Sequence, residues 1–218
     1  KQFTLKKDPK SYPGFEIRNI KSNNLLWTGK GKSTTPLFTK EELLAKNGKF
    51  NDNQMSTALV VKYGKFKYYA GGDNSGLVDQ DHAEWYDIET PMAPLVGKVS
   101  AMSLNHHSNR DATNRNFLDV LDPKVVVAQS WSPDHPGPEV GQRLLSGNVG
   151  TQKREIFMTY YHEETGIGIG PWFSRGIKAK EGHIVIRVYP DGKYDVYVLD
   201  SRKSNMTIVK KFGPYVSE

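Results

Sequence analysis

Apolar residues in this chain fall into short runs that end on polar or metal-competent side chains. Thr57-Ala58-Leu59-Val60-Val61-Lys62-Tyr63 is one such run; Gly64 breaks it, Phe66-Lys67-Tyr68-Tyr69-Ala70 resumes it, and Gly71-Gly72-Asp73 ends it. β-branched and aromatic residues over this length predict a strand pair, and the glycines let the backbone turn. Val99-Ser100-Ala101-Met102-Ser103-Leu104 repeats the pattern and stops at Asn105-His106-His107. Ser108-Asn109-Arg110-Asp111 then reads as the cap of a helix through Phe117, Leu118, Val120 and Leu121, closed by Asp122-Pro123. Lys124-Val125-Val126-Val127-Ala128-Gln129-Ser130 shows no alternation, which predicts a fully buried strand. Strand, helix, strand implies parallel pairing through a right-handed crossover. His106, His107 and the loop from Ser130 to Pro136 are thereby delivered to one rim.

Elsewhere the pattern is shorter in range. Gly14 to Ile20 and Leu25-Leu26-Trp27 predict short strands around an Asn23-Asn24 turn, and Thr39 with Glu41, Glu42 and Leu43 predicts a short capped helix ending near Asn47-Gly48. Gly29-Lys30-Gly31-Lys32-Ser33 contains Gly-Lys-Ser, but Leu26 stands where a phosphate loop needs its first glycine and Pro36 follows closely, so a polar loop is expected. Asn74 to Glu89 is read as a loop or short helix containing Asp79, Asp81, His82 and Glu84, with His82 as a surface residue near Asp73 in sequence. Pro91 and Pro94 are expected to break any helix before Val99. A helix from Pro138 to Leu145 and a strand from Glu155 to Thr159 follow. Gly166-Ile167-Gly168-Ile169-Gly170-Pro171 is read as a flexible loop with no helix after it, which sets a dinucleotide motif aside. His183 to Val188 and Tyr194 to Leu199 form the clearest hairpin, joined across Pro190-Asp191-Gly192-Lys193, and Thr207 to Lys211 adds a further strand.

Composition narrows the chemistry. With no cysteine, thiolate zinc sites and disulfides are excluded, so a metal must be held by His, Asp, Glu or water. The formal charge of +6 is uneven: residues 1–67 hold 14 of the 30 basic residues and 5 of the 24 acidic ones, leaving 16 basic against 19 acidic in the remainder. The candidate site is therefore outside the basic half, whose lysines read as a solvated surface rather than a nucleic-acid patch. No apolar run has the roughly 18 residues of a membrane span. The compartment stays open between the cytoplasm and an extracytoplasmic location reached with a signal since removed.

Asp73, His106, His107 and His135 are hard or borderline ligands arriving from three strand ends, a set suited to Zn²⁺ or Mn²⁺ bound by nitrogen and oxygen. At Tyr69-Ala70-Gly71-Gly72-Asp73, Leu104-Asn105-His106-His107-Ser108, Asp122-Pro123-Lys124-Val125-Val126-Val127 and Asp134-His135-Pro136 the sequence resembles the metallo-β-lactamase superfamily, and within it the nuclease-like, ComEC-like branch. The resemblance covers roughly residues 53–145. It implies an α/β fold, the C-terminal half or a reduced form of the αββα sandwich, with a mixed sheet and a C-terminal β-hairpin. Residues 1–52 would be basic strands and loops joining a half-domain at 53–218.

By the same resemblance Asp73 would bridge two metal ions, one of His106 and His107 would be a terminal ligand, and His135 would line the pocket and act with Asp73 in catalysis. The family's main ligand motif, His-x-His-x-Asp-His, is absent from the 218 residues, Ser108 replaces the glycine after the His pair, and Asp134 replaces the one before His-Pro. The expectation is a metal-dependent hydrolase, phosphodiesterase-like, completed by an upstream segment or second chain that also covers an open sheet edge; this chain alone is expected to be inactive. The alternatives are a binding module of the same fold that has lost its metals and holds a polyanion or a partner protein, and a structural domain in which Asp73 and His106 satisfy one another.

Overall fold

The computed structural model describes residues 2–3, 10, 12–45, 52–76 and 86–218. β1 (Gln2–Phe3) pairs antiparallel with β2 (Phe15–Ser22), which turns at Asn23, φ 50°, into β3 (Leu25–Trp27); β4 (Thr34–Pro36) pairs next to β3. α1 (Lys40–Ala45) opens on a reciprocal cap, with Glu42 N donating to Thr39 Oγ1 at 3.1 Å and Thr39 N to Glu42 Oε2 at 2.8 Å. A 3-10 turn, Asp52–Met55, leads into the antiparallel pair β5 (Ala58–Tyr63) and β6 (Phe66–Gly71). From there helices alternate with strands: α2 (Glu89–Val96), β7 (Ala101–Ser103), α3 (Arg115–Leu121), β8 (Val125–Ala128), α4 (Pro138–Leu145), β9 (Glu155–Met158), α5 (Glu163–Ile169), α6 (Pro171–Gly176) and β10 (Ile177–Ala179). β11 (His183–Val188), β12 (Lys193–Leu199) and β13 (Ile208–Val216) close the chain.

This is an α/β protein with two sheets. The large one is mixed, nine strands in the order β10-β9-β8-β7-β6-β5-β2-β3-β4, with the two-residue β1 alongside β2; β6 through β10 are parallel. The basic N-terminal strands thus extend the same sheet through the β2–β5 pairing. The smaller sheet is antiparallel, β11-β12-β13.

Alternate residues of the central strands serve two cores. Met102, Val126, Ala128, Ile156 and Met158 face the helices, packing with Met92 and Val96 of α2, Phe117, Leu118 and Leu121 of α3, and Val140 and Leu144 of α4. Ala101, Val125, Val127 and Phe157 face the small sheet and meet Tyr194, Val196 and Val198 of β12. This two-sided cover explains why Val125-Val126-Val127-Ala128 is an unbroken apolar run. The layers are therefore helices, large sheet, small sheet. Among the described residues no helix is long and apolar enough to cross a membrane.

Four expectations need correction. The helix after His107 does not start from Ser108–Asp111: Asn114 is the cap, its Oδ1 accepting from Phe117 N at 2.7 Å, and the preceding residues form a loop. Pro91 and Pro94 do not break a helix but lie inside α2. Pro91 falls in the first turn, where no N–H is needed, and the bond lost at Pro94 is offset by burial of Met92, Ala93 and Val96. The glycine-rich segment is not a loop either, and a helix does follow it. His162 caps α5 by accepting from Glu164 N, and Thr165 Oγ1 donates to Pro133 O at 2.7 Å; these tertiary anchors override the low helix propensity of glycine. The further strand expected beside the C-terminal hairpin is present as β13, but it runs to Val216 rather than ending at Lys211. The expected helix end at Asn47-Gly48 and the Asp79, Asp81, His82 and Glu84 cluster lie outside the described residues.

Phe157 is fully buried between the sheets with its ring edge-on to Phe212 at 5.0 Å. Phe157→Ala should cost about 3–5 kcal/mol in urea unfolding, whereas Val209→Ala on the exposed face of β13 should stay within about 0.5 kcal/mol. Equal losses would mean that the two sheets do not share a core.

Candidate functional site

The carboxyl ends of β6, β7 and β8 converge, as parallel neighbours require, and polar groups there meet without crossing the core. Asp73 follows β6, His106 and His107 follow β7, and His135 lies in the loop after β8. Gly71 and Gly72 permit this convergence sterically. A Cβ on Gly71 would fall 2.0 Å from Asn105 Oδ1, and one on Gly72 would fall 2.8 Å from Ser56 Oγ. His106 N donates to Gly72 O at 3.1 Å, and Asp73 N to Ser56 Oγ at 3.0 Å, so the two strand ends are tied together.

Of the two adjacent histidines, His107 faces Asp73. A carbonyl oxygen, Gln129 O, stands 2.8 Å from His107 Nδ1 and can only accept, which places the ring proton on Nδ1. His107 Nε2 stands 3.6 Å from Asp73 Oδ1, with both side chains about one-third exposed. In the neutral tautomer with the proton on Nδ1, two acceptors face each other, an arrangement that a proton or a cation between them satisfies. His106 is turned aside. Its Nδ1 meets Asp111 Oδ1 at 2.8 Å and its Nε2 meets Asn53 Nδ2 at 3.1 Å, so both ring nitrogens are engaged within the chain. The hydrogen bond to Asp111 holds the imidazole pKa above its usual value against the opposing effect of burial. The alternative in which Asp73 and His106 satisfy one another is not what the structure has: His106 pairs with Asp111.

His135 is 5% exposed and stacks on His107, ring centroids 5.4 Å apart and planes 21° apart, with Trp131 edge-on at 6.0 Å. Burial pushes its pKa down, opposed by the nearby Asp134 carboxylate at 3.7 Å from Nε2, and its buried Nδ1 has no hydrogen-bond partner among the described residues. The structure therefore brings together Asp73, His107 and His135, and gives His106 a different, internal set of partners.

The loop that presents the histidines has an uncommon backbone. His106, His107 and Ser108 have φ of 45°, 52° and 69°, and Thr113 has 56°. Non-glycine residues in this region carry strain of roughly 1–3 kcal/mol each and persist only where the surroundings over-determine them. Here Glu89 does so. Its fully buried carboxyl accepts from Asn105 Nδ2 at 2.8 Å, Thr113 N at 2.7 Å and Asn114 N at 2.6 Å, while Tyr69 OH donates to Asn105 Oδ1 at 3.0 Å. Arg143 adds bonds to the carbonyls of Ala112 and Thr113 at 3.0 and 2.8 Å. On the other side Lys21, 1% exposed, donates to Gln54 O at 2.5 Å and Ser56 O at 2.8 Å, and burial lowers its pKa to about 8. It holds the turn that sets Asn53 against His106 and Ser56 against Asp73.

Among the described residues no group of three or more His, Asp or Glu side chains is arranged to hold a metal ion. The 3.6 Å between His107 Nε2 and Asp73 Oδ1 does suit two donors sharing one ion at about 2.0–2.2 Å each. The donor set present is thus a pair, short of a closed site. Sequence reading missed Asp111, Asn105, Glu89 and Lys21. In the sequence Asp111 reads as part of a helix cap, and Lys21 and Glu89 sit in polar contexts that give no sign of burial. In comparison with known proteins, the chain matches no family model and no curated protein.

Burial raises the Glu89 pKa from 4.5 to about 7, partly opposed by its three N–H donors. Between these values the folded carboxyl keeps a proton that the unfolded one has lost, so stability is complete below pH 4.5 and declines as pH rises through 7, by on the order of 3 kcal/mol. Glu89→Gln should flatten this slope and lower stability at pH 5 by about 1–3 kcal/mol, because its amide group would confront a backbone N–H. His106 contributes a slope of the same sign in both proteins and cancels in the difference. Parallel urea-unfolding curves for the two proteins from pH 4.5 to 7.5 would rule out the buried carboxyl as the cause.

Proposed function

We propose that this chain carries part of a metal-dependent hydrolase site of the metallo-β-lactamase type, with a phosphodiester as the substrate class, and that the remaining metal donors come from a segment or chain outside the described residues. The reading rests on one observation: His107, with Nδ1 2.8 Å from the Gln129 carbonyl, sets its Nε2 3.6 Å from Asp73 Oδ1. Fixing a ligand tautomer through a carbonyl is how metal-binding imidazoles are commonly oriented. Asp73 and His107 would hold zinc or manganese, two ions being expected in a complete site. Such ions supply a bound water of lowered pKa and charge stabilisation at phosphorus.

The chain's own residues have separate tasks. Asp73 is aimed by its backbone bond to Ser56, and His107 by Gln129. His135, whose pKa burial lowers, would donate a hydrogen bond from its ring N–H to the developing oxyanion or leaving-group oxygen. His106 with Asp111 braces the loop. The second reading, a binding module of the same fold without metals, is favoured by the engagement of both His106 nitrogens inside the chain.

Metal analysis by inductively coupled plasma mass spectrometry, with zinc titration calorimetry, tests the proposal. This chain should retain less than stoichiometric metal, and a longer form of the protein close to two equivalents. His107→Ala and Asp73→Ala should each weaken zinc binding by roughly tenfold or more, while His183→Ala on exposed β11 should leave it unchanged. No metal in either form overturns the hydrolase and leaves the binding module.

A further inference from the structure

The opposite end of the parallel strands carries a cavity of about 610 Å³, bounded by the β5–β6 turn, the entrances of β7 and β8, and the end of β13. Five lysines line it, Lys62, Lys65, Lys67, Lys98 and Lys124, against two carboxylates, Asp122 and Glu218. Their convergence is a product of topology, because they come from three separated segments.

The acids do not neutralise this cluster. Burial opposes the Asp122 charge, but the carboxyl is held below its usual pKa by donors from Thr151 and Gln152, and it already faces Lys98 at 3.5 Å and Arg154 at 3.9 Å. Glu218 accepts from Gln152 Nε2 at 3.0 Å. Lys124 donates to Lys153 O at 2.9 Å and approaches Glu155 only to 4.0 Å. Lys62 and Lys67 stand directly opposite each other in the β5–β6 register, where like charges repel. Glu16, opposite Lys62 on its other side, is committed to Arg18 at 2.7 Å. Burial and then the Lys62 charge lower the Lys67 pKa, and its ammonium group donates to Val96 O. Among the described residues neither Lys62 nor Lys65 has an ion-pair partner.

We infer that this cavity is a binding site for a small polyanion carrying two or more adjacent phosphate groups, distinct from the histidine rim at the other end of the strands. Several ammonium point charges held at one concave place suit clustered phosphate oxygens. The volume matches a small-molecule site of roughly 300–1,000 Å³ rather than a track for a polymer. An anion there removes the Lys62–Lys67 repulsion, which gives the unpaired charges a reason to be held together. Tyr194 and Tyr215, ring centroids 5.2 Å apart, form the apolar wall.

The test is titration calorimetry of the metal-free full chain with inorganic pyrophosphate and, separately, a single-stranded oligonucleotide. Pyrophosphate should bind saturably at one equivalent, more weakly as salt rises. The double variant Lys62→Ala with Lys65→Ala removes two exposed side chains and should weaken binding by roughly tenfold or more. His107→Ala should leave it unchanged, which separates this site from the rim whatever becomes of the hydrolase reading. Non-saturable pyrophosphate binding, equal affinity in the lysine variant with circular dichroism unaltered, or loss of binding in His107→Ala would each overturn the inference. So would saturable binding of the oligonucleotide alone, which would make the lysines a polymer surface.

Discussion

The two-sided burial of β7, β8 and β9 constrains everything else in the molecule. Parallel strands clamped between helices and a second sheet have no face on which a charged side chain can reach water, and an unpaired polar group inside would cost several kcal/mol. Chemistry is thereby expelled to the strand ends. The carboxyl ends receive Asp73, His107 and His135, and the amino ends receive Lys98 and Lys124. Both candidate sites thus have one origin.

The histidine loop is where the fold departs furthest from relaxed geometry. Three consecutive left-handed residues, His106 to Ser108, are held by bonds from beneath and beside. Glu89 is suited to the task because its two oxygens accept the side-chain amide of Asn105 and two backbone N–H groups, of Thr113 and Asn114, that the loop leaves without secondary-structure partners. A carboxyl with that many donors is tolerable in a fully buried site, though burial still shifts its titration upward. Lys21 does the complementary work, donating to two carbonyls of the turn that faces the loop. The rim is thus braced by one buried acid and one buried base far apart in the sequence.

Adjacent histidines divide into different roles because the left-handed turn points them apart. His106 is enclosed between Asp111 and Asn53, and His107 opens toward Asp73 and solvent. His107 Nε2 and Asp73 Oδ1 stand 3.6 Å apart and partly exposed, while the buried Nδ1 of His135 beside them has no hydrogen-bond partner among the described residues. His135, stacked on His107, shares that environment.

Local patterning determined much of the architecture. The strand pair at Ala58–Tyr63 and Phe66–Gly71, the parallel step to Val125–Ala128, and the helix Pro138–Leu145 all follow from periodicity and turn residues, because these depend on neighbours a few positions away. The sequence also placed Asp73, His106, His107 and His135 at strand ends, since strand termini are local features. Tertiary structure alone decided that Asp111 takes His106, that Lys21 and Glu89 are buried, that the prolines of α2 and the glycines of α5 are helical, and that five lysines meet at one cavity. Hydrogen-bond partners and burial are settled by which distant segments come within about 3 Å of one another, and no short-range pattern encodes that.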